Sequence, residues 1–555
     1  MTGSAWTLKG GTIVDGSGGP SQVGDVVIED DRIASVGPAA SRGTVVDVSG
    51  CVVAPGFVDI HSHVDWIAPL PEGPELLGAS VQQGITTTVA GNCGLTPAPL
   101  GDDGHTGAIE RMLLVGWVTD RLGWSWRSVG EYFDVLEQRG LPLNFCLFVG
   151  HSTLRASVMG HFCERVATPA ELAEMKRMLT EGLAQGAVGM SVGLEYFPGR
   201  YAGPSEVELL TEIVARHDGL TAVHTRGISG LYERGMTEAI GFSRATRCRL
   251  QISHVAPMGK PHWGEVDKLL VRVDEERQAG LDIGFDLIPY TTWTLAALEV
   301  MPHTISDLGT DAVLALASSS DGRRFLREKI ESSPPTWPSW IEGRVTRNMI
   351  LDLGWDAMIV ADPRSEQFAP RRGETVAAMA AALGRDPFDV YFDLVESSRG
   401  KAQFVNVGYG GDLEDDGPME RVLARPDAIP ETDTVPVPAD GGGVHVGLPL
   451  FYGSMARFLG HYSRDLGLVP LEQAVARITR VPAERVRLRD RGLLREGAFA
   501  DVTVFDPAEV GERGTLLDPK PAGGIPYVFV NGEPVVSDGV YDPARRSGRA
   551  LRKEL

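Results

Sequence analysis

"GFVDIHSHVDW", residues 56–66, decides how the rest of the chain is read. Phe57, Val58 and Ile60 form an apolar run of the kind found in buried strands, and alternate residues of a strand point to one side. His61 and His63 therefore project together, with Asp65 beside them if the strand continues. Two imidazoles on one buried face cost free energy unless a metal ion or hydrogen-bonding partners compensate them. A hydrogen-bonded pair of core histidines and a pair of metal ligands both meet that condition, so further ligands must be sought elsewhere.

Seven more apolar runs follow: "ITTTVAGNCG", "LNFCLFVGHS", "AVGMSVGLEY", "LTAVHTRG", "RLQISHVAP", "DIGFDLIPY" and "TVPVPADGG". Between most of them lie helical patterns such as "PAELAEMKRMLTEGLAQG" and "GEVDKLLVRVDEERQAG". Several of these begin after Pro or Ser and stop at Gly, as capped helices do. Eight strand–helix units predict an α/β fold, a (β/α)8 TIM-like barrel over residues 55–484. The two ends differ in texture. "WTLKGGTIVDG" and "GDVVIEDDRIASVG" near the start, and "ADVTVFDP" and "IPYVFVNGEPVVSDG" near the finish, alternate apolar and polar residues at period two. Residues 1–54 and 485–545 are expected to meet in one small β-sandwich. Between the seventh and eighth runs, from Thr291 to Asp433, the interval is too long for a single loop. It predicts an inserted subdomain that holds helices such as "GETVAAMAAALGRDPFDVYFDLVESSRG", its bounds placed at residues 295–370.

Composition narrows the class. The 555 residues are 43% apolar and 23% charged, with a net charge of −22. That excess of acid argues against a general nucleic-acid binder, whose phosphate contacts need a basic face. No apolar run approaches the roughly 20 residues of a membrane span, and "MTGSAWTLKGGTIVDGSGG" lacks the pattern of a secretory signal. The five cysteines are scattered and odd in number, which fits free thiols in a reducing cytoplasm. These features predict a cytoplasmic protein with a small-molecule partner, and leave homo-oligomerisation open.

Polar residues stand at the ends of the runs. His61 and His63 end the first, Cys93 the second, His224 the fifth, His254 the sixth and Asp440 the eighth. In a parallel barrel these ends converge on one face. Taken singly, each has a plain structural reading: a buried Cys is usually an apolar filler, and Asp440 beside three glycines fits a turn. Their coincidence at one end of independently assigned strands points to a metal site. Imidazole and thiolate ligands suit zinc, and an aspartate completes a hydrolytic centre.

This order of residues resembles the amidohydrolase superfamily, and more closely its N-acyl-D-amino-acid deacylase (D-aminoacylase) branch. "GFVDIHSHVD", "GITTTVAGNCG", "VGHSTLR", "QISH", "DLIPYT", "DRGLLREGAFADVTVFDP" and "VFVNGEPVV" carry the likeness over nearly the whole chain. Many members of the superfamily use a carboxylated lysine on the fourth strand; "AVGMSVGL" has none, and Cys93 is the marker of this branch. The resemblance implies one tight zinc on Cys93, His224 and His254. It implies a second, weaker position on His61 and His63, with Cys93 shared, and Asp440 as general base. The implied activity is hydrolysis of the amide C–N bond of a hydrophobic N-acyl compound. Hydrolysis of a cyclic amide or imide, as in the related dihydropyrimidinases, is the alternative, and a catalytically silent scaffold a third reading.

For the substrate, His151, Tyr196, Arg226, Tyr290 and Trp293 are the expected contacts, with Phe197 and Met258 as further apolar wall. Relatives hold a substrate carboxylate with a lysine and a serine at the places taken here by Ala256 and Ala296. A carboxylate buried without a cation is costly. Unless Arg226, Arg155 or Arg200 substitutes, neutral hydrophobic amides are expected to be preferred.

Overall fold

Seven of the eight apolar runs become parallel neighbours in one sheet. The computed structural model describes residues 5–553 except 39, 102–107, 110–111, 113–117, 342 and 435–447. In chain order, five strands come first: β1 (Ala5–Ile13), β2 (Gln22–Glu29), β3 (Arg32–Gly37), β4 (Thr44–Asp47) and β5 (Val52–Pro55). The barrel begins with β6 (Phe57–Ser62), β7 (Ile85–Ala90), β8 (Asn144–Gly150), β9 (Gly189–Gly193), β10 (Leu220–His224), β11 (Arg249–Ile252) and β12 (Ile283–Leu287). After these come β13 (Thr292–Ala296), β14 (Met358–Asp362) and β15 (Gln403–Val407), then β16 (Ala428–Pro430). The chain finishes with β17 (Val502–Phe505), β18 (Tyr527–Val530), β19 (Glu533–Ser537) and β20 (Val540–Tyr541).

The barrel sheet runs from β6 through β12 in sequence order and then to β16. Its seam is closed by backbone: Thr434 bridges in parallel to Ser62, His63 N–H donates to Thr434 O at 2.9 Å, and Asp433 N–H donates to His61 O at 3.1 Å. The buried Asp59 carboxylate adds to the seam, accepting from the Thr432 hydroxyl at 2.6 Å and the Thr432 N–H at 3.2 Å. The eighth strand thus lies just before the run read as strand eight; of that run, Thr434 alone is among the described residues. Between strands, helices lay one face on the sheet. Helix Pro169–Ala184 starts with a Thr168–Glu171 capping box and buries Met175, Met178, Leu179 and Leu183.

The interval between β12 and β16 holds an antiparallel sheet, ordered β13-β15-β14. It has its own core, including Val300, Met349, Val360, Tyr391, Leu394 and Phe404. Helix Pro387–Ser397 and β15 belong to this packed unit, so it runs past the 295–370 limits read from the sequence. The chain ends join in one nine-stranded sheet that branches at β1, whose first half pairs with β4 and second half with β5. β5 pairs with β17, bringing Leu8, Val26 and Ile28 into one core with Val502, Val504 and Phe529. Beyond β20 the chain returns to the barrel, where Gly548 and Ala550 bridge to Leu141 and Phe145. Among the described residues, no helix is long and apolar enough to cross a membrane.

One buried carboxylate ties the end sheet to the barrel. Asp501 accepts from Asn144 Nδ2 of β8 at 3.0 Å, from Asn531 N–H at 2.9 Å and from Arg491 Nη1. Removing it leaves a buried guanidinium and an amide without their acceptor. Asp501→Ala is therefore expected to cost about 3–5 kcal/mol, read from the midpoint and slope of denaturant unfolding; a change below about 1 kcal/mol would show that the two units hold together without this contact.

Candidate metal centre

Each of the first five candidate ligands sits where a barrel strand ends or just beyond it. His61 lies in β6 and His224 closes β10, while His63, Cys93 and His254 follow β6, β7 and β11 within a few residues. Three residues at this rim adopt the left-handed backbone region that non-glycine residues avoid: Cys93 at φ 52°, His254 at φ 36° and Asp433 at φ 43°. Such conformations cost on the order of 1–3 kcal/mol each and persist only where the surroundings enforce them. His254 is held by its N–H donating to Asp286 Oδ1 at 2.7 Å. The Cys93 turn lies so close to β9 that a Cβ at Gly193 would sit 2.0 Å from Cys93 O. The small residue in the fourth strand thus has a steric reason.

The ligand atoms form two groups that share Cys93. In the first, Cys93 Sγ is 3.7 Å from His224 Nδ1 and 3.6 Å from His254 Nε2, and those two nitrogens are 2.7 Å apart. In the second, Cys93 Sγ is 3.4 Å from His61 Nε2, and Asp433 Oδ1 lies 3.4 Å from His61 Nε2 and 3.2 Å from His63 Nε2. Outside these groups stand further carboxylates, with Asp286 and Glu431 forming a third group on His61. Asp286 Oδ1 is 3.5 Å from His61 Nδ1, and Glu195 Oε2 is 3.5 Å from His224 Nε2. Both atoms of that last pair are buried without a hydrogen-bond partner.

Burial and mutual charge set the protonation of the cluster. Burial, then Arg347, pushes the His224 imidazole down to about 3. Burial, then the neighbouring histidines, pushes His254 well below its ordinary value. Both are therefore neutral, the form that ligates metal. Burial and the charges of Asp433 and Glu431 push the Cys93 thiol well above its ordinary value, so a cation must compensate its thiolate. Burial would raise Asp433, but its hydrogen bond to His63 and the charge of His61 bring it well below the carboxylate range. Burial and Asp433 together push Glu431 well above that range.

The donor set fits a zinc ion. The two S···N separations match the edge of a tetrahedron with arms of about 2.3 Å to sulfur and about 2.0 Å to nitrogen, while the 2.7 Å between the two nitrogens is shorter than its about 3.3 Å N···N edge. The orphaned His224 Nε2 faces a buried carboxylate, the partner that ligating histidines use to fix their tautomer.

The expected substrate contacts divide. Tyr196 packs its ring 4.5 Å from that of His224. Tyr196, Trp293 and Met258 line a cavity of about 70 Å³ together with His63, His224, His254 and Asp433. Phe197 lines the adjoining cavity of about 270 Å³. Arg226 is turned away: buried, it donates to Arg200 O at 2.6 Å and Ala202 O at 3.1 Å, and pairs with Glu238 at 3.1 Å. His151 Nε2 is committed to Glu206 Oε1 at 2.8 Å, as is Arg155 at 2.6 Å. Arg200 pairs with Asp307. Tyr290 lies against Arg457, 4.9 Å from its ring centre, and lines a different cavity. Asp440 lies outside the described residues. Sequence reasoning missed Asp433, Asp286, Glu195 and Arg347. Asp286 did leave a signal, a charge inside the apolar run "IGFDL", as did Glu195 directly after the fourth strand.

Comparison with known proteins follows the same lines. A family model described as "Amidohydrolase family" matches residues 44–256 and 356–536. D-aminoacylase of Alcaligenes xylosoxydans xylosoxydans is 31% identical over 549 residues, covering 98% of this chain and 97% of that protein. N-acyl-D-glutamate deacylase of the same organism is 31% identical over 552 residues, covering 99% and 96%. Among solved structures, N-acyl-D-glutamate deacylase from Bordetella bronchiseptica, complexed with zinc and a phosphonate inhibitor that mimics the tetrahedral intermediate, superposes with a TM-score of 0.75. It is 29% identical, and the match covers 99% of each chain.

Cobalt(II), which reports its thiolate ligands by charge-transfer absorption, tests the cluster without reference to turnover. Wild type is expected to show that band and Cys93→Ala to lack it. Glu195→Gln should keep the band and bind about 10- to 100-fold more weakly. A Cys93→Ala protein with the wild-type spectrum would remove Cys93 from the ligand set.

Proposed function

The chain belongs to the amidohydrolase family, and we propose that it is a zinc-dependent hydrolase of the amide C–N bond in an N-acyl compound, of the N-acyl-D-amino-acid deacylase kind. The observation that carries this reading is the meeting of Cys93, His224 and His254 within ligand distance of one another at the barrel mouth. The zinc named for the Bordetella enzyme supports the same metal here. Bound at this mouth, zinc supplies a Lewis acid that polarises a carbonyl oxygen and acidifies water.

The residues divide the remaining work. Cys93, His224 and His254 would hold the tight position, and His61, His63 and Asp433 a second, weaker one with Cys93 shared. Asp433 Oδ1 already faces both imidazoles, which leaves proton transfer to another carboxylate. We assign it to Asp440, on the resemblance: it takes a proton from water and returns it to the leaving nitrogen. Tyr196, Trp293, Met258 and Leu295 wall the cavity with apolar surface, which suits a hydrophobic acyl or side-chain group and excludes water. The relatives are named for linear N-acyl substrates, which favours a linear amide over a cyclic imide. The scattered free thiols and acidic composition support a cytoplasmic enzyme acting on a small molecule.

The lysine position of the relatives is closed in space as well as in sequence. Ala256 is buried, and a Cβ on Gly410 would meet its Cβ at 3.0 Å. Next to Gly410, the Tyr409 hydroxyl donates to His254 O. Ala296 ends β13, its N–H bonded to Glu299 at 2.6 Å.

Two substitutions separate the carboxylates. Asp440→Asn is expected to retain zinc and lose at least about 10²-fold in kcat, whereas Asp433→Asn should lose metal from the weaker position. Both are read by elemental analysis beside turnover of an N-acyl-D-amino acid. Near-normal kcat in Asp440→Asn would strike Asp440 from the mechanism.

A further inference from the structure

We infer that Arg347, carried by the insertion between β12 and β16, is the cation that receives the carboxylate of an N-acyl amino acid. The inference rests on reading the site as an amide hydrolase, and deepens that reading by naming the residue of this chain that takes up the substrate carboxylate. With lysine replaced by Ala256, the sequence alone favours neutral amides. The structure supplies positive charge from another direction.

Among the described residues lining the cavity beside the histidines, Arg347 is the one arginine or lysine. It also lines the adjoining cavity, as Tyr196 does, so it stands where the two meet. Among the described residues it bonds to Glu299 O at 3.2 Å, faces Glu195 Oε2 more loosely at 3.7 Å and lies 5.9 Å from the Tyr196 ring centre. The other arginine of the adjoining cavity, Arg200, is instead closely paired with Asp307. A guanidinium carries five N–H donors and matches a carboxylate in a two-pronged geometry; most of Arg347's donors are not used by these contacts.

The reach is also right. Glu195 Oε2 is 3.7 Å from Arg347 Nη1 and 3.5 Å from His224 Nε2. The guanidinium is therefore within about 7 Å of a ligating imidazole. In an N-acyl amino acid, the scissile carbonyl carbon and the carboxylate carbon are three bonds apart, about 3.8 Å when extended. A carboxylate on Arg347 thus leaves the amide beside the histidine cluster. Around the same space, Trp293, Leu295 and Met258 provide apolar contact for the rest of the molecule.

The test uses the zinc-loaded full chain with both enantiomers of N-acetylphenylalanine and N-acetylmethionine, each paired with its carboxamide. Wild type is expected to have the higher kcat/KM on a free acid. Arg347→Met should lower the acid value about 10- to 100-fold more than the carboxamide value, as loss of one charge-assisted contact does, with zinc still bound. Arg347→Lys should recover part of the acid preference. A wild type that prefers the carboxamide overturns the inference and leaves the hydrolase reading intact. A parallel fall on acid and carboxamide in Arg347→Met also overturns it, making Arg347 a support for Glu195. No cleavage of any of the compounds by zinc-loaded wild type overturns the hydrolase reading and the inference with it.

Discussion

The structure turns on one electrostatic constraint: a thiol, four imidazoles and several carboxylates are removed from water with their polar atoms a few ångströms apart, and each must be compensated by its neighbours or by a cation. Isolated, an ionised group at such depth is prohibitively costly. Here Asp433 is shared by His61 and His63, Asp286 spans the His254 backbone and the His61 ring, and Glu195 faces His224. The thiol lies against the His61, His224 and His254 imidazoles, but burial and the surrounding carboxylates oppose its ionisation. This imbalance toward unneutralised donors is what makes the cluster a receptor for a divalent cation, where a mere polar core would balance itself.

The same residues complete the barrel. β6 contributes His61, and its seam with Thr432–Thr434 is closed by Asp59 and by backbone bonds of His61, His63 and Asp433. Closing the sheet and assembling the second ligand group are therefore one event. The left-handed turns at Cys93, His254 and Asp433 are tolerable in this setting because their backbones are held by neighbouring strands. Local strain at the rim is offset by the regular ladder beneath it.

Much of this was legible in residue order, and the limits are instructive. Strands are recognisable because buried parallel strands are continuous apolar runs, and the five candidate N and S ligands stand out because they interrupt those runs at one end. The eighth strand is three residues long and ends in Pro430, so its pattern was too short to register, and Asp433 just beyond it went unread. Arg226, His151 and Tyr290 show a second limit. A place at the rim does not say which way a long side chain turns, and the carbonyls of Arg200 and Ala202, the Glu206 carboxylate and Arg457 respectively draw these three elsewhere. Arg347 marks a third limit. It lies outside the strands of the insertion, so no register aims it, and packing brings it beside Tyr196.

The joining of both chain ends in one sheet has a consequence for biosynthesis. Strand β5 pairs with β17 in the finished molecule, yet roughly 450 residues separate Pro55 from Val502. At translation speeds of about 5–20 residues per second, β5 waits on the order of 20–90 s for its partner. Throughout that time Val52, Val53 and Ala54, all buried in the native state, form an open apolar edge of the kind that recruits foreign strands. The yield of this enzyme in a cell thus depends on what shields that edge at the ribosome, a requirement that native stability does not address.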